Sequence, residues 1–209
     1  MSNAASIARH LLNIKAVKLR PEDPFTWASG MRSPIYCDNR ITLSYPAIRN
    51  DIKNAFVDLA KTYEGINMIA GVATAGIAHG ALLADALDLP YIYVRSSNKS
   101  HGRQNQIEGE LFKDANILVI EDLISTGGSS IQAVNVLRDA GANVAAVLAI
   151  FNYGFQKATD NFKNADCPFQ TISSYPILLE EAKAMDYISD AHLETLKSWN
   201  ASPETWFQS

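Results

Sequence analysis

Apolar residues change their spacing along this chain, and each change marks a different kind of element. Ile7, Leu11 and Ile14 recur at the interval of one helix face, so the chain opens on an amphipathic helix that needs a partner surface. A polar, proline-containing and aromatic stretch follows. From Ser44 the helical interval returns: Ser44 is placed to cap, Pro46 suits a first turn, and Ile48, Ile52, Phe56, Leu59 and Tyr63 form a stripe. Beyond it come short apolar runs at 68–72, 91–94, 117–120 and 144–151, separated by helical or loop stretches. Helices are predicted over 77–87 and 129–140, the second stopped by Gly141. Strands that are apolar throughout and alternate with helices are covered on both faces, which predicts an α/β fold built on a parallel sheet flanked by helices. From Pro176 the tail reads as further helix, with Ala182, Leu193, Leu196 and Trp199 as packing positions. Ligands of such sheets bind beyond the carboxyl ends of the strands, so the loops after the runs are where chemistry is sought.

Composition narrows the classes. The 209 residues, 47% hydrophobic and 19% charged, suit a single domain over 1–209 with a closed core. A net charge of −4 repels nucleic acid and anionic membrane, so neither is expected as a partner, and anionic ligands must be caught by local features. Cys37 and Cys167 lie far apart without a CxxC spacing, which suggests neither a disulfide framework nor a zinc site and points to a reducing cytoplasm. No apolar run approaches the length of a bilayer span.

The densest chemistry lies at 117–130. A buried strand runs into Glu121 and Asp122, then Leu123 and Ile124, and a short turn delivers Ser125, Thr126, Gly127, Gly128 and Ser129 to the start of a helix. Glycines let main-chain N–H groups converge, hydroxyls add donors, and a helix N-terminus favours an anion, so this turn predicts a phosphate cradle. It lacks the Gly-Lys-Ser/Thr of the nucleoside-triphosphate loop, and no GxGxxG occurs in the chain. Two carboxylates would repel a bare phosphate cluster, but they accept hydrogen bonds from a vicinal diol, so a sugar phosphate satisfies both halves. A strand end followed by an ordinary capped helix is the plainer alternative.

A second stretch, 95–109, is polar, interrupted by Gly102 and Gly109, and carries Arg95, Lys99, His101 and Arg103 in a chain that is otherwise acidic. Positive charge on a loop that closes would stabilise a departing anion and exclude water; a solvated surface loop has the same composition.

The hydrophobic run, two acids, short spacer and Thr-Gly resemble the phosphoribosyl pyrophosphate signature of the type I phosphoribosyltransferase family. The spacing of Arg95, Lys99 and His101-Gly102, with Ile107-Glu108-Gly109 behind, is similar to the catalytic loop of the orotate-specific branch, although many members carry a Lys where Ser96 stands here. The resemblance spans roughly 25–151. It implies transfer of ribose 5-phosphate from phosphoribosyl pyrophosphate to orotate with Mg²⁺ as cofactor, the ion held mainly by the donor's own oxygens and no side chain assigned to it. Arg95, Lys99, His101 and Asp122 would be catalytic. Arg95, Lys99, His101 and residues Glu121, Asp122, Leu123, Ile124, Ser125, Thr126, Gly127, Gly128 and Ser129 would hold phosphoribosyl pyrophosphate. In that family the loop reaches across a homodimer, which implies shared active sites.

The segment 25–40 resembles the cover that the orotate branch lays over the base, making about 1–45 a hood. Ser29-Gly30 and Ser33-Pro34 are turn signals, Ile35 and Tyr36 offer a wall and extended backbone for a flat ring, and Ser125 is the candidate for the orotate carboxylate. From the residues alone the segment reads equally as a hairpin with a packed aromatic. The turn 70–76, rich in Gly and Ala, suits pyrophosphate oxygens or close helix–sheet packing alike. Two other functions share these features: a phosphoribosyltransferase for another base, and a phosphoribosyl-pyrophosphate-sensing regulator.

Overall fold

The computed structural model describes residues 3–27, 30–96 and 106–206. Helix α1 (Asn3–Asn13) is followed by β1 (Val17–Leu19), β2 (Phe25–Thr26), β3 (Arg32–Ser33) and β4 (Ile35–Cys37), then by a 3-10 turn over Asn39–Ser44 and α2 (Pro46–Ala60). The central run is β5 (Met68–Val72), α3 (Gly76–Leu87), β6 (Tyr91–Val94), β7 (Ile107–Glu108), β8 (Asn116–Ile124), α4 (Gly128–Asp139) and β9 (Asn143–Asn152). The chain continues through α5 (Gln156–Asn164), β10 (Phe169–Ser174), α6 (Tyr175–Ala184) and α7 (Asp190–Ala201).

Six strands form one sheet in the order β10-β9-β8-β5-β6-β7, parallel except where β7 returns antiparallel against β6. Alternate side chains serve two cores. Ile69, Leu118, Ile120, Leu148 and Ile150 pack with buried residues of α1, α2, α3, α6 and α7. Ile117, Val119, Val147 and Ala149 pack with those of α4 and α5. This two-residue alternation explains why the strands read as continuously apolar: both faces are covered. The chain order reverses between β5 and β8, which places a crevice at their carboxyl ends.

The runs at 68–72 and 91–94 are strands with those limits, while the other two extend further. The extension of β8 matters, because Leu123 and Ile124 pair with Phe151 and Asn152. Glu121 and Asp122 therefore stand inside a strand and not at its end. Two other expectations change. Ser44 does not cap α2; Tyr45 holds that position without a side-chain bond, and Pro46 supplies the fixed φ of the first turn. Leu59 is only partly buried and Tyr63 lies beyond the helix, although Ile48, Ile52 and Phe56 face the core as predicted. Ala182, Leu196 and Trp199 are fully buried.

Outside the main sheet, β1 pairs with β4 and β2 with β3, both antiparallel. Trp27 donates its indole N–H to the carbonyl of Ile35 at 3.2 Å, and the Phe25 and Tyr36 rings lie 5.6 Å apart. No helix among the described residues is long and apolar enough to cross a membrane.

Candidate active site

The site begins on β8. Its parallel neighbours hold Glu121 in the interior at 5% exposure, and a carboxyl group there must find donors. Its Oε1 accepts from the main-chain N–H of Asp122 at 3.0 Å, and its Oε2 accepts from the hydroxyls of Ser129 at 3.2 Å and Ser130 at 3.4 Å. Burial first, then the neighbouring Asp122 charge, pushes the Glu121 carboxyl up to about 8. Burial also raises Asp122 above the usual carboxylate range. Both carboxyl groups are thus shifted toward their protonated forms.

The turn behind the pair is shaped by one glycine. Gly127 adopts φ +81°, and a Cβ there would stand 2.6 Å from the Phe162 ring. Gly128 is different: a Cβ added there meets nothing within 4 Å, so its lack of a side chain answers no packing need. Helix α4 starts at Gly128 without a side-chain cap, leaving its first N–H groups at the turn. Asn161 of α5 donates to the carbonyl of Thr126 at 2.9 Å. Asn161 and Phe162, which form the floor of the turn, were absent from the candidates read in the sequence; the helical pair Ala158 and Phe162 is the one signal that could have revealed them.

Ser125 joins Thr26, Trp27, Tyr36, Cys37, Leu123 and Tyr153 around a cleft of about 330 Å³. That is the small end of the range of ligand pockets. Tyr36, 39% exposed, offers its ring to this space. Ile35 does not: its side chain is 0% exposed in the core, and its carbonyl is taken by Trp27 and by the Ser33 hydroxyl at 2.8 Å. It supports the wall from behind because β4 alternates inward at Ile35 and outward at Tyr36. A groove of about 590 Å³ beside α6 and α7 contains none of the predicted site residues.

A buried polar chain ties the cover to β8. Asn39, 0% exposed, donates to the carbonyl of Asp122 at 2.7 Å and accepts from the Cys37 thiol at 3.4 Å. Thr42 donates to the carbonyl of Asn39 at 2.6 Å, and the buried imidazole of His79 lies 3.5 Å from the Thr42 hydroxyl, its pKa lowered by burial to about 4. Beside them Arg40 makes two bonds to Asp38, 2.7 and 2.9 Å, and those bonds hold Asp38 below the usual carboxylate range. Burial, then Asp122 and Asp38, raises the Cys37 thiol, so it stays protonated.

In the turn after β5, Ala73 and Thr74 are joined by a cis peptide bond, and the Ala73 N–H donates to the carbonyl of Val94 at 2.8 Å. The glycines on either side of it, Gly71 of β5 and Gly76 of α3, serve packing. A Cβ on Gly76 would stand 2.3 Å from the carbonyl of Ile120, and one on Gly71 would stand 2.4 Å from the Tyr91 hydroxyl. Arg95, at the end of β6, lies 3.3 Å from Glu108 of β7, and its N–H donates to the carbonyl of Gln106 at 2.8 Å. This short ladder forms the stem of the basic segment. Lys99, His101 and Arg103, like Ala28 and Ser29 of the cover, lie outside the described residues.

Comparison with known proteins fits this arrangement. The phosphoribosyl transferase domain family model matches residues 42–172, which include β5, β8 and the turn into α4. An orotate phosphoribosyltransferase of Cytophaga hutchinsonii is 52% identical over 207 residues, covering 99% of both chains. One of Staphylococcus saprophyticus is 54% identical over 197 residues, covering 94% of this chain and 97% of its own. The crystal structure of orotate phosphoribosyltransferase from Aeropyrum pernix superimposes with a TM-score of 0.76 at 27% identity, covering 88% of this chain and 99% of that one. With the acidic pair, the glycine turn and the adjoining cleft in one crevice, and with relatives matching from end to end, the chain belongs to the orotate phosphoribosyltransferases.

Proposed function

We propose that this chain transfers ribose 5-phosphate from phosphoribosyl pyrophosphate to orotate, giving orotidine 5′-phosphate and pyrophosphate, a step of pyrimidine nucleotide synthesis. The observation that carries it is the junction of three features: Leu123 and Ser125 line the 330 Å³ cleft and stand, along the chain, between the Glu121–Asp122 pair and the turn into α4. Glu121 and Asp122 accept hydrogen bonds from the ribose hydroxyls. Main-chain N–H groups at 127–129, with Ser125, Thr126 and Ser129, donate to the 5′-phosphate. Orotate lies against Tyr36, its carboxylate taken by Ser125 and main-chain donors.

A ring nitrogen of orotate forms a bond to the anomeric carbon as the bond to pyrophosphate breaks; the electron pair leaves with pyrophosphate, and the proton lost from that nitrogen passes to the departing pyrophosphate or to solvent. The sugar becomes cationic during the exchange, as in glycoside cleavage. Arg95, Lys99 and His101 meet the growing negative charge. Mg²⁺, when bound with the donor, would add charge neutralisation there; no side chain is assigned to it, and among the described residues no three His, Cys, Asp or Glu are grouped around one point. Glu121 and Asp122 would bear on the ion only through the ribose they hold. A homodimer with Lys99 serving the partner's site, and a cytoplasmic location, complete the reading.

Two measurements test it. Calorimetry with Mg²⁺ should detect phosphoribosyl pyrophosphate, and turnover should be seen with orotate and not with uracil, adenine or hypoxanthine; turnover of a purine in place of orotate would overturn the substrate. Lys99→Ala should lower kcat by at least about tenfold while changing the donor's Kd less, since its charge is needed as pyrophosphate leaves. Unchanged turnover would remove Lys99 from the mechanism.

A further inference from the structure

The two serines on Glu121 are placed differently. Ser129 is exposed in the first turn of α4, among the groups read above as donors to the phosphate. Ser130 is 0% exposed, on the side of α4 that packs against the sheet, and its hydroxyl lies 3.4 Å from Glu121 Oε2. A hydroxyl has one proton to give. If Ser129 donates to a phosphate oxygen it cannot also donate to Glu121, and the carboxyl group would then lose a donor at the moment the sugar arrives.

We propose that Ser130 is a positioning residue for ribose recognition, holding Oε2 of Glu121 so that the carboxyl group keeps its aim at a ribose hydroxyl while Ser129 turns to the 5′-phosphate. The inference rests on the reading of Glu121 as an acceptor for that diol. Ser130 does not touch the sugar; it fixes the group that does. A buried carboxyl group held at both oxygens, by the Asp122 N–H on one side and by Ser130 on the other, has little freedom to rotate. Preset acceptors bind more tightly because less ordering is left for the ligand to impose. The alternative role for Ser130 is packing alone, a small residue where the helix meets the strand.

The test compares inhibition constants of ribose 5-phosphate with those of its 2-deoxy and 3-deoxy analogues, in the whole enzyme and in two variants. Ser130→Ala removes the hydroxyl. Ser130→Cys keeps nearly the same shape with a much weaker donor. In both, ribose 5-phosphate should bind about tenfold more weakly, the upper end for the loss of one hydrogen bond. The analogue lacking the hydroxyl that Glu121 holds should weaken by less than about threefold, so the preference for ribose shrinks. Equal weakening of all three sugars, or a preference kept in the Cys variant, would overturn the role of Ser130 and leave packing. If the wild-type protein itself shows no preference for ribose over either analogue, the reading of Glu121 falls and this inference falls with it.

Discussion

Glu121 carries a signature that stability measurements can read. Its ordinary value is 4.5, and the folded protein holds it at about 8, chiefly through burial. Below pH 4.5 the group is protonated in both folded and unfolded chains, and its contribution to stability is fully present. Between 4.5 and 8 the unfolded chain has given up its proton and the folded chain has not, so stability falls as pH rises, and above 8 the contribution is gone. Asp122 titrates with it, so the transition belongs to the pair. Glu121→Gln never ionises. Its Tm is therefore expected to gain on the wild type across this window, by at least about 3 °C at pH 8.5, while the two converge near pH 4. A Tm difference that does not vary with pH would show that the carboxyl group is ionised at neutral pH in the fold.

At the scale of elements, the turn from β8 into α4 depends on one glycine and not two. Gly127→Ala meets both a left-handed φ and the Phe162 ring, and should cost about 1–3 kcal/mol in denaturant titration. Gly128→Ala enters open space with φ on the ordinary side and should lie within about 0.5 kcal/mol of the wild type; equal losses would contradict the geometry. The sequence showed this element clearly but not its support. Strands β5, β6, β8 and β9 were legible because burial on both faces leaves continuous apolar runs, and α3 and α4 because their repeats end near Leu87 and Gly141. Helix α5 was not: across nine residues it buries only Ala158 and Phe162, too few to show a period. Strand β10 hides similarly, since it lies at a sheet edge with mixed burial. Within the site the acids and the glycine turn were legible from chemistry, whereas Ser130, Asn161 and Asn39 were not. They act through carbonyl and carboxyl oxygens that lie 9, 35 and 83 residues away in the chain. Ile35 was misjudged for a related reason: alternation tells that neighbours in a strand face opposite ways, but only the packed structure tells which way is in.

For the whole molecule, the proposed sharing of sites between two chains has a direct test. Lys99→Ala and Asp122→Asn, each weakly active alone, should recover part of the activity when unfolded together and refolded as a mixture, because one site in the hybrid would be intact. No recovery would mean that each chain supplies its own Lys99. The bond from Asn39 to the carbonyl of Asp122 makes a second prediction at this scale, since it joins the segment proposed to cover the base to the strand proposed to hold the sugar. Asn39→Ser cannot reach that carbonyl, and KM should rise for orotate and phosphoribosyl pyrophosphate together, about threefold or more. A rise for one alone would mean that the two walls are set independently. The joint also gives traffic through the crevice a direction. A wall fastened to the central strand of the sheet makes a poor door, so exchange is expected on the side of the crevice away from it. An enzyme built this way would take in and discharge its cargo past its free side, and loosening the joint should raise KM before it touches bond making.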